Sequence, residues 1–188
     1  MLVLASRSPQ RRAILERLGV EFVVRPTSAA ELERGDPETA ARENALRKAL
    51  AASPAPGETV LGVDTIVALD GTIFGKPRSA VEAEATIRAL AGHTHVVISG
   101  VAIVEASSEP QIDAATTRVS FRELDERTIR WYVGTGEWRH RSGGYAIQQA
   151  GGALIRSIEG DYNNVVGLPL ALLLDLRPTL LGAAGTGA

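Results

Sequence analysis

The chain has 188 residues, 45% of them hydrophobic, with a formal net charge of −2 and no cysteine. That length builds one domain core, and the near-neutral charge leaves no electrostatic footprint for nucleic-acid or membrane partners. The absence of cysteine excludes a disulfide framework and a thiolate zinc site. The first residues lack a basic stretch followed by an apolar run and a cleavage site, and no apolar run reaches membrane length, so a cytoplasmic location is expected.

In chain order, Leu2-Val3-Leu4-Ala5 reads as a short strand and runs into Ser6-Arg7-Ser8-Pro9-Gln10-Arg11-Arg12. Ser8 is a good N-cap and Pro9 suits the first helical position. Helical spacing continues through Ile14, Leu15 and Leu18, and Gly19 ends the helix. Glu21–Val24 is a second short strand and Arg25–Gly35 a loop. Asp36-Pro37-Glu38 opens a second helix with the small apolar face Ala41, Ala45, Leu46 and Ala49 and with Lys48 in its last turns. Ser53–Gly57 is a loop and Thr59–Leu69 an almost continuous apolar strand, covered on both faces. Asp70-Gly71 turns it into Thr72–Phe74. Ser79–Ala91 is a helix ended by Gly92, His95–Val104 a long apolar strand, and Thr116–Phe121 an alternating one. Glu123–Val133 is a helix, Gly134–Gly152 an irregular glycine-rich stretch, and Ala153–Ile158 a strand. Asp161–Gly167 is a polar loop, Leu168–Leu176 a final helix, and the Gly/Ala-rich residues 179–188 are expected to be a disordered tail after a single domain, 1–178. Interleaved helices and strands predict an α/β fold around a central sheet.

Several residues carry chemistry. Arg11 and Arg12 lie in the first helical turn, where the helix dipole disfavours cations. With the hydroxyls and free N–H groups of the junction they describe a phosphate site, against the alternative of a solvated basic helix start. All but two of the 20 basic residues are arginine, the exceptions being Lys48 and Lys76. A site that needs a compact point charge would keep lysine, although chance also leaves a few. Asp64 interrupts an otherwise buried strand, so it must be paired, bound to metal, or set in a cleft wall as a general base. Glu31, on the loop after the second strand, could join Asp64 in holding magnesium against a polyphosphate. Gly143-Gly144-Tyr145-Ala146-Ile147-Gln148 combines backbone able to approach a ligand with an amide suited to a nucleobase edge, or forms an ordinary loop anchored by Tyr145. His93, His95 and His140 have no metal-ligand spacing.

Taken together, the ordered motifs resemble the Maf family of nucleoside triphosphate pyrophosphatases. They are Leu4-Ala5-Ser6-Arg7-Ser8-Pro9, Glu31, Lys48-Ala49, Gly62-Val63-Asp64-Thr65-Ile66-Val67, Gly75-Lys76-Pro77, Gly144-Tyr145-Ala146-Ile147-Gln148 and Asn164-Val165-Val166-Gly167-Leu168-Pro169. The resemblance runs to about Pro178. It implies a Maf/ITPase-like mixed central sheet with two lobes flanking a nucleotide-binding cleft, a divalent metal cation (magnesium or manganese), and often a homodimer. It implies hydrolysis of a nucleoside triphosphate to the monophosphate and pyrophosphate. Asp64-Thr65 and Tyr145–Gln148 look like the branch acting on dTTP, UTP and modified uridine triphosphates, a house-cleaning activity.

On this resemblance Asp64 is the general base and, with Glu31, holds the metal. Ser8, Arg11, Lys48 and Lys76 hold the triphosphate, and Thr65 and Gln148 contribute to base selection. Three departures stand out. Gln10 occupies the place of an arginine linked to specificity, for which Arg12 could partly compensate. His140-Arg141 replaces Asp-Lys, and Gln149 replaces a glycine. These departures leave a rival reading, a nucleotide-binding regulator tied to cell division that has lost efficient turnover.

Overall fold

The computed structural model describes residues 1–181. Its strands are β1 (Leu2–Leu4), β2 (Phe22–Val24), β3 (Thr59–Leu69), β4 (Thr72–Phe74), β5 (Thr94–Glu105), β6 (Gln111–Phe121) and β7 (Ile155–Glu159). Its helices are α1 (Pro9–Arg17), α2 (Pro37–Ala51), α3 (Ala80–Leu90), α4 (Glu126–Thr135), α5 (Tyr162–Val166) and α6 (Leu170–Leu176). The strands form one mixed sheet in the order β2-β1-β3-β5-β6-β7, with β4 also paired to β3. β1 runs parallel to β2 and β3, while β3, β5, β6 and β7 are antiparallel neighbours. No helix among the described residues is long and apolar enough to cross a membrane.

The caps act as expected. Ser8 caps α1 and Asp36 caps α2, each followed by proline at the start of the helix. β7 and α6 each begin two residues later than expected, and three further elements differ more. β6 begins at Gln111 rather than Thr116, because Gln111–Ala115 pairs with β5 even though Asp and Ala are poor strand formers. α4 begins later, since the Asp125 side chain accepts from Thr128 N and Gly136, at φ 75, ends the helix. The polar loop after Asp161 contains the short helix α5, capped by Asp161. The expected domain end at residue 178 falls at the start of a 3-10 turn, Pro178–Leu181, whose Leu180 is buried. Residues 182–188 of the expected disordered tail lie outside the described residues.

The sheet has a gap in one edge, and the gap makes the cleft. β1 pairs with β3 only over Thr59–Leu61, and β4 only over Val67–Leu69. Between them the β1-facing edge of β3 has no strand partner among the described residues, while its other edge stays paired to β5. Two core clusters meet at this point. Leu61, Val63, Val101 and Ile103 pack with α1 and α6, whereas Val67 and Val97 pack with α3, α4, Trp138 and Tyr145. Asp64 and Thr65 sit at the junction, and because side chains alternate along a strand they leave β3 on opposite faces.

α2 lies flat on one of those faces. Its Ala41 and Ala45 backbones press on the sheet at Gly100 and Gly62, where an added Cβ would overlap their carbonyl oxygens. Gly100 is the register partner of Asp64 on β5, so this close seat brings α2 directly over the carboxylate. Gly100→Ala is therefore expected to lower the free energy of unfolding by about 1–3 kcal/mol through overpacking. Urea denaturation would show this as a lower midpoint at unchanged slope; an unchanged midpoint would mean that α2 is not seated so closely.

Candidate active site

The face of β3 under α2 carries Asp64, which is 5% exposed. Residues four apart on a helix share a face, so Asn44 and Lys48 of α2 reach Asp64 together. Lys48 Nζ lies 2.5 Å from Asp64 Oδ1, and Asn44 Nδ2 donates to Oδ2 at 2.9 Å. Burial pushes the Asp64 carboxyl up. The charge of Lys48, hydrogen bonds from Lys48 and Asn44, and the more distant charge of Arg11 outweigh that and hold it below the usual carboxylate range. At neutral pH Asp64 is thus ionised, the state able to take up a proton or bind a cation.

Lys48 Nζ also lies 2.7 Å from Glu31 Oε1, and Lys76 Nζ lies 3.5 Å from Glu31 Oε2. The only two lysines of the chain therefore converge on one carboxylate. Lys48 itself bridges Glu31 and Asp64, so both acids face a single cation. Among the described residues no group of three or more His, Cys, Asp or Glu could hold a metal ion.

The opposite face of β3 carries Thr65, and here Arg11 forms the framework. Its side chain crosses from α1 to the 163–168 turn, donating from Nε to Gly167 O (2.7 Å), from Nη1 to Ser6 Oγ (2.9 Å) and from Nη2 to Thr65 Oγ1 (3.0 Å). Thr65 Oγ1 in turn bonds Ser99 Oγ at 2.8 Å. Burial draws the Arg11 guanidinium below its ordinary value, partly offset by Asp64 and Glu31. A planar fork with several donors suits three fixed acceptors in a way lysine does not.

Asp64, Glu31, Lys48, Arg11, Ser6 and Thr65 line a cleft of about 680 Å³ together with Ser8, Gln10, Lys76, Arg141, Tyr145 and Gln148. A second cavity of about 450 Å³ shares Glu31, Asp64 and Lys76 with it. The far wall is the 139–148 segment. Gly143 and Gly144 take positive φ, 69° and 67°, against Val67 and Pro77, and Ser142 Oγ donates to Thr65 O (2.9 Å). Tyr145 is buried, its hydroxyl 2.9 Å from His95 Nε2, with Phe121 edge-on to both rings. Burial alone brings His95 down to about 4, so at neutral pH it is an uncharged pillar beneath the loop that presents Gln148.

The family model described as Maf-like protein matches residues 1–178. The chain belongs to the Maf family. A Maf relative from Pyrococcus furiosus, named dTTP/UTP pyrophosphatase, is 42% identical over 93% of this chain and 93% of its own. One from Anaeromyxobacter dehalogenans, with the same name, is 45% identical over 90% of this chain and 89% of its own. The solved structure of a HAM1 protein from Coxiella burnetii covers 81% of this chain and 90% of its own at 18% identity, with a TM-score of 0.49, a distant likeness.

Most of the expected Maf residues come together: Ser8, Gln10, Arg11, Glu31, Lys48, Asp64, Thr65, Lys76 and Gln148 all line the cleft. Arg12 does not. Its side chain is 62% exposed and pairs with Glu16 one turn along α1, because successive helical residues point about 100° apart and Arg11 takes the inward direction. The expected compensation for Gln10 by Arg12 is thus corrected. Gln10, with its amide oriented to satisfy both neighbours, donates to Ser8 Oγ (3.1 Å) and accepts from Arg141 across the cleft (2.9 and 3.1 Å). Arg141 also donates to Gln149 Oε1 at 3.4 Å, so the three departures from the Maf pattern adjoin one another.

Sequence reasoning passed over Asn44, Ser99 and the His95–Tyr145 pair. A lone amide one turn before Lys48 on an alanine face was a signal for Asn44; Ser99 offered none without the register. Arg12→Ala is expected to leave kcat/KM for the best nucleotide within about twofold, as for other exposed pairs. Arg11→Lys, which breaks the fork, should lower it by on the order of tenfold or more. Steady-state kinetics on both variants checks this, and equal losses would contradict the different placement of the two arginines.

Proposed function

We propose that this chain hydrolyses nucleoside triphosphates between the α- and β-phosphates, releasing the monophosphate and pyrophosphate, with dTTP, UTP and modified pyrimidine nucleotides as substrates. The observation that carries the reading is Asp64: an ionised carboxylate in mid-strand, open to the cleft and held with Glu31 around the ammonium of Lys48. The names of relatives at 42% and 45% identity support the same reaction and the pyrimidine preference.

In this reading the triphosphate lies along Ser8, Arg11, Lys48 and Lys76, whose charges and hydroxyl stabilise the charge that develops on the phosphoryl oxygens. Asp64 orients the attacking water and takes its proton. Lys48 keeps Asp64 ionised beforehand and lies close enough to follow the phosphate once it is bound. Arg141, held beside Ser8 by Gln10, supplies the cleft with a guanidinium that position 10 itself lacks. Gln148 reads the base, and Thr65 acts on the nucleotide through Arg11, since its hydroxyl is already shared between Arg11 and Ser99.

A divalent metal, magnesium or manganese, fits this donor set. Magnesium in nucleotide sites takes one or two carboxylates and completes its shell with phosphate and water, and Glu31 and Asp64 already face one cation. These two residues would hold it. When bound, it neutralises phosphate charge as the anhydride breaks. A cytoplasmic nucleotide-pool role and a homodimer belong to the same proposal. The regulator reading loses ground, because Asp64, Glu31 and both lysines are assembled around one point.

Purified protein incubated with UTP or dTTP and magnesium or manganese is expected to yield monophosphate plus pyrophosphate by chromatography. Asp64→Asn should lower kcat by about 10²–10⁴-fold while nucleotide binding by calorimetry persists. A variant that hydrolyses at the wild-type rate would remove Asp64 from the base role.

A further inference from the structure

Asn44 is 2% exposed and stands on the alanine face of α2, where an apolar side chain would pack as well. A buried amide is tolerated only when its polar atoms are paired. Here each pairing lands on the site. Nδ2 donates to Asp64 Oδ2 (2.9 Å) and to Leu32 O (3.1 Å), and Oδ1 accepts from Leu32 N (2.7 Å). The side chain thus pairs with the whole peptide face of Leu32, as a neighbouring strand would, while holding the free oxygen of Asp64. Leu32 directly follows Glu31 in the chain. One turn further along α2, Lys48 shares Asp64 with Asn44 and reaches, by charge, its other oxygen and the neighbouring Glu31.

We propose that Asn44 is a positioning residue that fixes the Glu31 loop against Asp64, so that the two carboxylates meet one cation. The inference rests on the pyrophosphatase reading for its kinetic consequence, but not for the clamp itself. The residue type follows from the surroundings. Aspartate would add a third carboxylate and lose the donors, leucine would make none of the three bonds, and glutamine, one methylene longer, would displace Leu32 or Asp64. Lys48 alone leaves the loop backbone untethered, because its ammonium holds Glu31 only at the tip of a flexible side chain.

The test compares wild type with Asn44→Leu, which keeps the bulk, and with Asn44→Ala, which suits an alanine-rich helix and decides the matter where the leucine variant does not fold. Three readouts are taken on each folded variant. They are kcat and KM for UTP, Mn²⁺ affinity without nucleotide by electron paramagnetic resonance, and hydrogen exchange at the Leu32 amide. Expected are a kcat lower by about 10–100-fold with KM within about threefold, as for residues that orient metal ligands. Mn²⁺ binding should weaken by about tenfold or more, and Leu32 should lose its protection while the core of β3 keeps its own. Wild-type kcat, wild-type Mn²⁺ affinity, or a Leu32 amide as protected as before in a folded variant overturns the proposal. If the wild-type protein makes no monophosphate and pyrophosphate, the pyrophosphatase reading fails, and the Mn²⁺ and exchange measurements still decide the role of Asn44.

Discussion

An ionised carboxylate in the middle of a buried strand is the constraint on which the rest of this molecule depends. Desolvating a charge costs several kcal/mol unless partners are in place, a large part of a domain's margin of stability. Asp64 has its partners because α2 sits against the sheet at Gly62 and Gly100, with alanines as the contact surface. That close seat puts Asn44 and Lys48 over the two carboxylate oxygens, one each. Larger residues at Ala41 or Ala45 would lift the helix and leave the charge unpaired. The packing of small residues and the electrostatics of the site are therefore one arrangement seen from two sides.

The gap along the edge of β3 converts a satisfied buried charge into an accessible one. Because β1 stops at Leu4, opposite Leu61, and β4 ends at Phe74, opposite Val67, β3 has no strand partner on that edge between them among the described residues, and Asp64 and Thr65, on its two faces, line the same cleft. Acid chemistry lies on the α2 face with Glu31 and the lysines. On the other face, Arg11 locks the start of α1 to Thr65 and to the turn at Gly167. The far wall, stacked on the His95–Tyr145 pair and tied to Thr65 O through Ser142, brings Gln148 and Arg141 to the same space. A nucleotide bound there would meet the cations of Arg11, Lys48, Lys76 and Arg141 and the amide of Gln148.

Much of this was legible in the sequence, where local chemistry and long-range structure agreed. The caps at Ser8 and Asp36 and the buried character of β3 are as the sequence reads, and Asp64 and the two lysines it singled out lie together in the cleft. What escaped depended on three-dimensional register. The first turn of α1 carries two adjacent arginines, and spacing alone does not say which one faces inward; the acceptors at Ser6, Thr65 and Gly167 decide for Arg11. The first half of β6 has weak strand composition and is a strand because β5 lies alongside it. Asn44 looked like one more polar residue on a helix, since its two partners, Leu32 and Asp64, lie on a loop and a strand distant in sequence. The three departures from the family pattern, scattered along the chain, adjoin one another through Arg141 only in the fold.

The most direct measurement is hydrolysis of UTP with magnesium in ¹⁸O-enriched water, with mass spectrometry of both products. If water oriented by Asp64 attacks the α-phosphorus, one labelled oxygen enters the monophosphate and the pyrophosphate stays unlabelled. Label in the pyrophosphate would contradict attack at the α-phosphorus, and nucleoside diphosphate with inorganic phosphate as products would contradict the assignment of the cleft to cleavage between the α- and β-phosphates.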